Sequence, residues 1–174
     1  MREYARTYPG FWTGKTGKQL RSCGYESRII AHYVFSSPHS NMIGLYYLPL
    51  PYIAYETGIP EDGILSALKC LEDIQFCFYD QESEFVWVPS MAKYQIGKEL
   101  KPNDKQVKGI NNICKTLPKN PFLDEFYHTY KDAFHLEKPR PLEAPCDGPL
   151  YLLGSNAMQS KATQGADKQA RERT

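Results

Sequence analysis

The chain has 174 residues, 41% hydrophobic and 13% aromatic, with thirteen Tyr, eight Phe and two Trp. That suffices for one domain of ordinary size plus a tail, and no apolar run approaches the ~20 residues needed to span a bilayer. A net charge of +1 argues against a generic polyanion binder, and five scattered cysteines without a CxxC pair or ligand-spaced histidines argue against a zinc site.

The start of the chain lacks the charged-then-apolar pattern of a signal peptide, so a cytoplasmic protein is expected. In such a reducing compartment Cys70 and Cys77 read as small hydrophobes. The tyrosines read as a half-buried shell, with rings inward and hydroxyls outward; some of the rings are also suited to stacking on bases. Charge is distributed in blocks. Residues 1–30 carry six basic against two acidic side chains, residues 31–100 three against nine, and residues 101–119 five against one. Two basic blocks thus flank an acidic centre.

In chain order, residues 10–16 (GFWTGKT) end like a phosphate-binding loop. Only three residues separate Gly10 from Gly14, however, and bulky Phe11 and Trp12 sit where small residues would let backbone amides cradle a phosphate. The segment reads instead as an aromatic anchor followed by a basic turn. A helix is expected over 26–35, with Ile29, Ile30, Tyr33 and Val34 on one stripe and Pro38 beyond its end. A short strand follows over 44–48. Residues 49–57 read as a short helix turning Ile53 and Ala54 inward, and Gly58 suits the turn that ends it. After Pro60, Ile64, Leu65, Leu68 and Leu71 recur at helical spacing. Residues 75–79 alternate as a strand, 80–83 (DQES) form a polar turn, and 84–88 form a second strand.

Helix, glycine-containing turn and helix, followed by a hairpin, is the order of a winged helix-turn-helix. The expected fold is therefore α+β and mainly helical. It comprises a winged helix-turn-helix over 1–98 with a small three-stranded wing sheet, and C-terminal helices over 99–136. One helix starts at Asn103-Asp104 and runs through KQVKGINNICKTL. Another covers 122–134, with Leu123, Phe126, Tyr127 and Tyr130 on its apolar side, and either docks on the domain or forms a dimer interface. Residues 137–174 read as a proline-rich linker and a disordered basic tail.

The acidic residues of the centre lie at expected helix ends and a hairpin tip, where they cap and solubilise, and no catalytic triad or dyad is suggested. The chain is therefore expected to be no enzyme and to need no metal or cofactor. A winged helix presents its second motif helix to the DNA major groove and its wing to the backbone. Here that helix begins Pro60-Glu61-Asp62 and carries one lysine, and the wing tip carries three acids, so phosphates repel both. Phosphate contacts are expected instead from Lys15, Lys18, Arg21 and Arg28 before the motif, and from Lys93, Lys98, Lys101, Lys105 and Lys108 after it. Base-edge contacts fall to Ser66, Lys69 or Gln81. The competing expectation is that the acidic centre is a protein-binding surface.

Four features resemble the N-terminal winged-helix domain of phage replisome-organiser and replication-initiation proteins, to which a module of DnaD-type primosome components is related. These are Phe11-Trp12 opening the domain, Ser37-Pro38 leading into Gly44-Leu45-Tyr46, the helix pair from Ile53-Ala54 to Leu71, and Lys93-Tyr94-Gln95 after the second wing strand. The resemblance covers about residues 5–98. It implies origin DNA recognition or self-assembly in phage or prophage replication, and recruitment of a replicative helicase or its loader. Larger relatives add a second helical domain, in place of which this chain has only the helices over 103–136 and a tail. Transcriptional regulation shares the same fold.

Overall fold

Residues 85–88 (FVWV) are four large apolar residues with no polar alternation, a pattern that suits a strand covered on both faces. The computed structural model, which describes residues 4–138, puts them at the centre of a three-stranded antiparallel sheet. Its strands are β1 (Leu45–Tyr47), β2 (Phe78–Asp80) and β3 (Phe85–Trp87), in the order β1-β3-β2. Leu45 pairs with Trp87 and Tyr47 with Phe85 on one side of β3; Phe78 pairs with Trp87 and Asp80 with Phe85 on the other.

Around the sheet lie eight helices among the described residues: α1 (Gly10–Thr13), α2 (Lys15–Ser22), α3 (Gly24–Ser36), α4 (Leu50–Thr57), α5 (Glu61–Asp73), α6 (Met91–Gln95), α7 (Lys105–Thr116) and α8 (Leu123–Tyr130). The result is a mixed α/β fold with helices predominating. α1 and α2 occupy the segment expected as an anchor and turn. In α3 the buried stripe is Ser27, Ile30, Ala31, Val34 and Phe35, so Ile29, expected inside, is 44% exposed. Gly58 ends α4 at φ +71°, donating its N–H to the Ala54 carbonyl, and α5 starts after Pro60. α5 ends with Gln75 in the left-handed region at φ +58° and the Phe76 N–H on the Leu71 carbonyl. That turn consumes residues 75–77, which delays the strand expected from Gln75 to Phe78. Asp104 caps α7 by accepting from the Gln106 N–H, and α8 is shorter than expected, with a turn carrying the chain on to a buried Phe134.

Side-chain alternation on the strands sorts the core into two clusters, one per face of the sheet. Tyr46, Val86 and Val88 join Ile30, Val34, Ile53, Ile64 and Leu71 from α3, α4 and α5. Leu45, Phe85 and Trp87 join Ile110, Leu123, Phe126 and Phe134 from the C-terminal segment. The helices beyond residue 98 therefore dock on the sheet. Phe78 stacks on Trp87 at 5.7 Å between centroids and Trp87 on Phe122 at 6.3 Å. Polar contacts lock this layer: the Tyr130 hydroxyl donates to the Pro89 carbonyl at 2.5 Å, and the Leu100 N–H donates to Ala133. The buried Asn111 amide bridges the Val107 and His135 carbonyls and accepts from the Glu137 N–H. The described residues belong to one compact unit, Met1–Leu142; of the linker and tail expected over 137–174, residues 139–174 lie outside the described residues.

The expectation for Cys70 is corrected. It is disulfide-bonded to Cys23, joining the α2–α3 junction to α5, while Cys77 is a buried free thiol as expected. The two partners are 47 positions apart in sequence and 5.9 Å apart at Cα. Only packing of α3 against α5 brings them together.

Closing a loop of this length is worth about 2–4 kcal/mol. Cys23→Ser, or a thiol reductant on the wild type, is expected to lower the urea-unfolding free energy by that amount; an unchanged midpoint would show that the bridge contributes nothing. On the opposite sheet face, Phe126→Ala is expected to cost about 3–5 kcal/mol. Trp87→Phe is expected to cost under about 1 kcal/mol, because the buried Trp87 indole N–H has no partner among the described residues and its removal offsets part of the lost ring area.

Candidate nucleic-acid interface

α4, the turn at Gly58 and α5 form two helices joined by a short turn, and the β2–β3 hairpin follows directly. α5 buries Ile64, Ala67, Leu68 and Leu71, which leaves Asp62, Ser66, Lys69 and Asp73 facing out. Lys69, the one cation of this helix, sits 3.3 Å from Asp73 and 3.7 Å from Glu72. The Asp73 hydrogen bond and charge push its ammonium pKa up. Its charge is therefore shared with its own helix, and the outward surface of α5 is acidic.

The hairpin tip is acidic as well, and two of its carboxylates are used to build it. Asp80 accepts from both the N–H and the hydroxyl of Ser83, at 2.9 and 2.5 Å. Glu84, in the left-handed region at φ +54°, accepts the Tyr47 hydroxyl at 2.5 Å. Gln81 and Glu82 remain exposed at the tip. The Tyr47–Glu84 clamp was not expected, since nothing in the local pattern marks two residues 37 positions apart as partners. Beside the motif, Tyr33 donates to Glu56 at 3.0 Å and His39 meets the other Glu56 oxygen at 2.7 Å, tying the loop before β1 to α4.

The basic residues divide into two groups. In the N-terminal group, Arg21 donates to the Trp12 carbonyl and Arg28 to the Gly24 carbonyl, Lys18 is exposed, and Lys15 borders a cleft. The C-terminal group is less encumbered. Lys93, Lys98, Lys101, Lys105 and Lys108 are all exposed and have no ion-pair partner among the described residues. α7 buries Val107, Ile110, Asn111 and Cys114, so Lys105, Lys108, Gly109 and Asn112 share its outer surface. No carboxylate occurs between Lys105 and Thr116; Lys115 reaches Glu137 at 2.6 Å. A Cβ at Gly109 would meet nothing within 4 Å, so no packing requires glycine there, although glycine in a helix interior costs about 1 kcal/mol relative to alanine. α7 is thus a cationic, open helix face, and α5 is its opposite in charge.

Among the described residues no group of three or more His, Cys, Asp or Glu is placed to hold a metal ion, and no helix is long and apolar enough to cross a membrane.

The clamp makes a pH prediction. Partial burial, then the Glu84 hydrogen bond and charge, push the Tyr47 phenol from 10.0 up to about 12. Tyr33 and Tyr79 are raised as well, in both cases first by burial. A phenol whose folded pKa is raised stabilises the fold fully below its unfolded value and loses that contribution as pH climbs. The tyrosine contribution is therefore expected to hold up to pH 10 and fall between 10 and about 12, following an earlier loss that begins near pH 9 because burial also raises the Cys77 and Cys114 thiols. Tyr47→Phe is expected to flatten part of that fall in urea titrations across the range; an identical slope in the variant would remove the clamp from the account.

No protein-family model, curated protein or solved structure matches this chain.

Proposed function

We propose that this chain is a non-catalytic winged helix-turn-helix DNA-binding protein of phage or prophage replication, acting in origin binding or replisome organisation. The fold assignment is supported by the order α3, β1, α4, α5, β2, β3 with the sheet order β1-β3-β2, and by the resemblance carried by residues 5–98. The observation that carries the functional reading is charge segregation. α7 and the loop before it offer Lys98, Lys101, Lys105 and Lys108, none of them ion-paired among the described residues, against only Glu99 and the capping Asp104, whereas α5 and the hairpin tip are acidic. Phosphate contact supplies most sequence-independent affinity, so the basic face is the side that meets the DNA backbone. Ser66, Lys69 and Gln81 on the acidic side then contribute little.

A second reading has its own support. α4 packs on α5, Tyr55 of α4 is 91% exposed, and Glu61 and Asp62 are exposed at the start of α5; an exposed aromatic and exposed acids on one helix pair suit a protein partner such as a helicase, its loader or a basic surface of another protomer.

Fluorescence anisotropy with labelled duplex and single-stranded DNA, run as a salt series, separates the two. Binding is expected to weaken steeply with salt, and Lys101→Ala, Lys105→Ala and Lys108→Ala together are expected to reduce the log–log salt slope by about one per lysine. Lys69→Ala is expected to leave it unchanged. A folded chain that binds neither form at low salt would reject the DNA reading and favour the protein partner.

A further inference from the structure

A cleft of about 400 Å³ lies among the N-terminal segment, the first turn of α2, the turn after α5, and α6. That volume is in the range of small-molecule sites, ~300–1,000 Å³. Its apolar surface is aromatic: Phe11 contacts Phe35 at 5.2 Å and Phe76 at 6.1 Å, with Met91 beside them. Tyr8 and Tyr94 also line it, yet remain 70% and 61% exposed, so two ring surfaces are left uncovered by the chain itself.

The polar lining is one-sided in charge. Arg6 and Lys15 border the cleft, no Asp or Glu does, and neither cationic group has a side-chain partner among the described residues. The segment bearing Arg6 is held in place from α6. The Gln95 amide donates to the Arg6 carbonyl at 3.0 Å and accepts the Arg6 N–H at 3.3 Å, which fixes the backbone and leaves the guanidinium uncommitted. Gln75, which ends α5 in the left-handed region, also lines the cleft.

We propose that this cleft binds a small aromatic anion, a planar ring carrying a phosphate or a carboxylate. The ring lies against the Phe11, Phe76, Tyr8 and Tyr94 surfaces, and the anionic group meets Arg6, whose fork matches either group bidentately, with Lys15 adding charge. No residue of α7 borders the cleft, so this site is separate from the proposed DNA face. Nor is it a phosphate-binding loop: residues 10–13 are helical, and the anion is met by side chains.

The test is calorimetric titration of the full chain with adenosine 5′-monophosphate and with 1-naphthoate, beside neutral adenosine and naphthalene-1-carboxamide. At least one anion is expected to bind one-to-one, about tenfold or more tighter than its neutral counterpart, with Arg6→Gln weakening it by a similar factor. Binding of the phosphate alone would identify a nucleotide-like ligand, and binding of both would identify the shared anion chemistry. Arg6 and Lys15 are exposed, so Arg6→Gln and Lys15→Gln leave the fold intact, which thermal unfolding checks. Absence of binding by either anion at millimolar concentration would overturn the proposal. Equal affinity for the neutral compounds, or undiminished affinity in the variant combining Arg6→Gln with Lys15→Gln, would overturn it too.

Discussion

Everything else in this structure is arranged around the burial of β3 on both faces. Phe85, Val86, Trp87 and Val88 are each at most 4% exposed. A sheet of three strands, each three residues long, has too few ladder hydrogen bonds to stand alone. It is held by what packs on it, α3 to α5 on one face and the C-terminal helices on the other. The second layer has a consequence for how the protein is divided. Residues beyond 98 supply half of the cover for the central strand, so cutting the chain there would expose Leu45, Phe85 and Trp87 together.

Docking α7 on the sheet also settles which of its sides is outward. Val107, Ile110 and Cys114 are drawn in by the apolar face, and Lys105, Lys108 and Asn112 are turned out as a result. The same logic turns the acids of α5 outward, because Ile64, Leu68 and Leu71 face β3 and α3. One sheet therefore separates an acidic helix from a basic one. The long-range consequence is a molecule whose net charge of +1 conceals two faces of opposite sign, and whose affinity for a polyanion depends on which face is presented.

Local chemistry was legible wherever it acts within a few residues. Gly58 between two apolar periodicities marked the turn between α4 and α5, Asp104 marked the start of α7, and DQES marked the hairpin turn. The errors have equally local causes. The alternation of QFCFY predicts a strand from Gln75, but the end of α5 claims residues 75–77 for a turn with Gln75 in the left-handed region. Helical spacing groups Ile29 with Ile30, Tyr33 and Val34, but the helix buries the stripe through Ser27, Ile30 and Val34, and one residue of rotation leaves Ile29 outside. Of the candidate site, the exposed lysines were legible from charge runs. The partners that distinguish them, Asp73 for Lys69 and none among the described residues for Lys105, required coordinates.

The sequence by itself determined the order α3, β1, α4, α5, β2, β3, α7, α8, though not the helices α1, α2 and α6, together with most of the apolar residues that build the core and the blocks of charge, because periodicity, turn residues and composition act over short distances along the chain. Tertiary structure alone decided the rest. It closed the Cys23–Cys70 bridge, clamped Tyr47 on Glu84, stacked Trp87 between Phe78 and Phe122, and gathered Arg6, Lys15, Gln75 and Tyr94 around one cleft. The bridge, the clamp and the Trp87–Phe122 stack each join residues more than thirty positions apart, and the cleft gathers residues equally remote in sequence. No local pattern encodes such pairings, because they depend on which faces of the helices and sheet meet once the hydrophobic stripes have been buried.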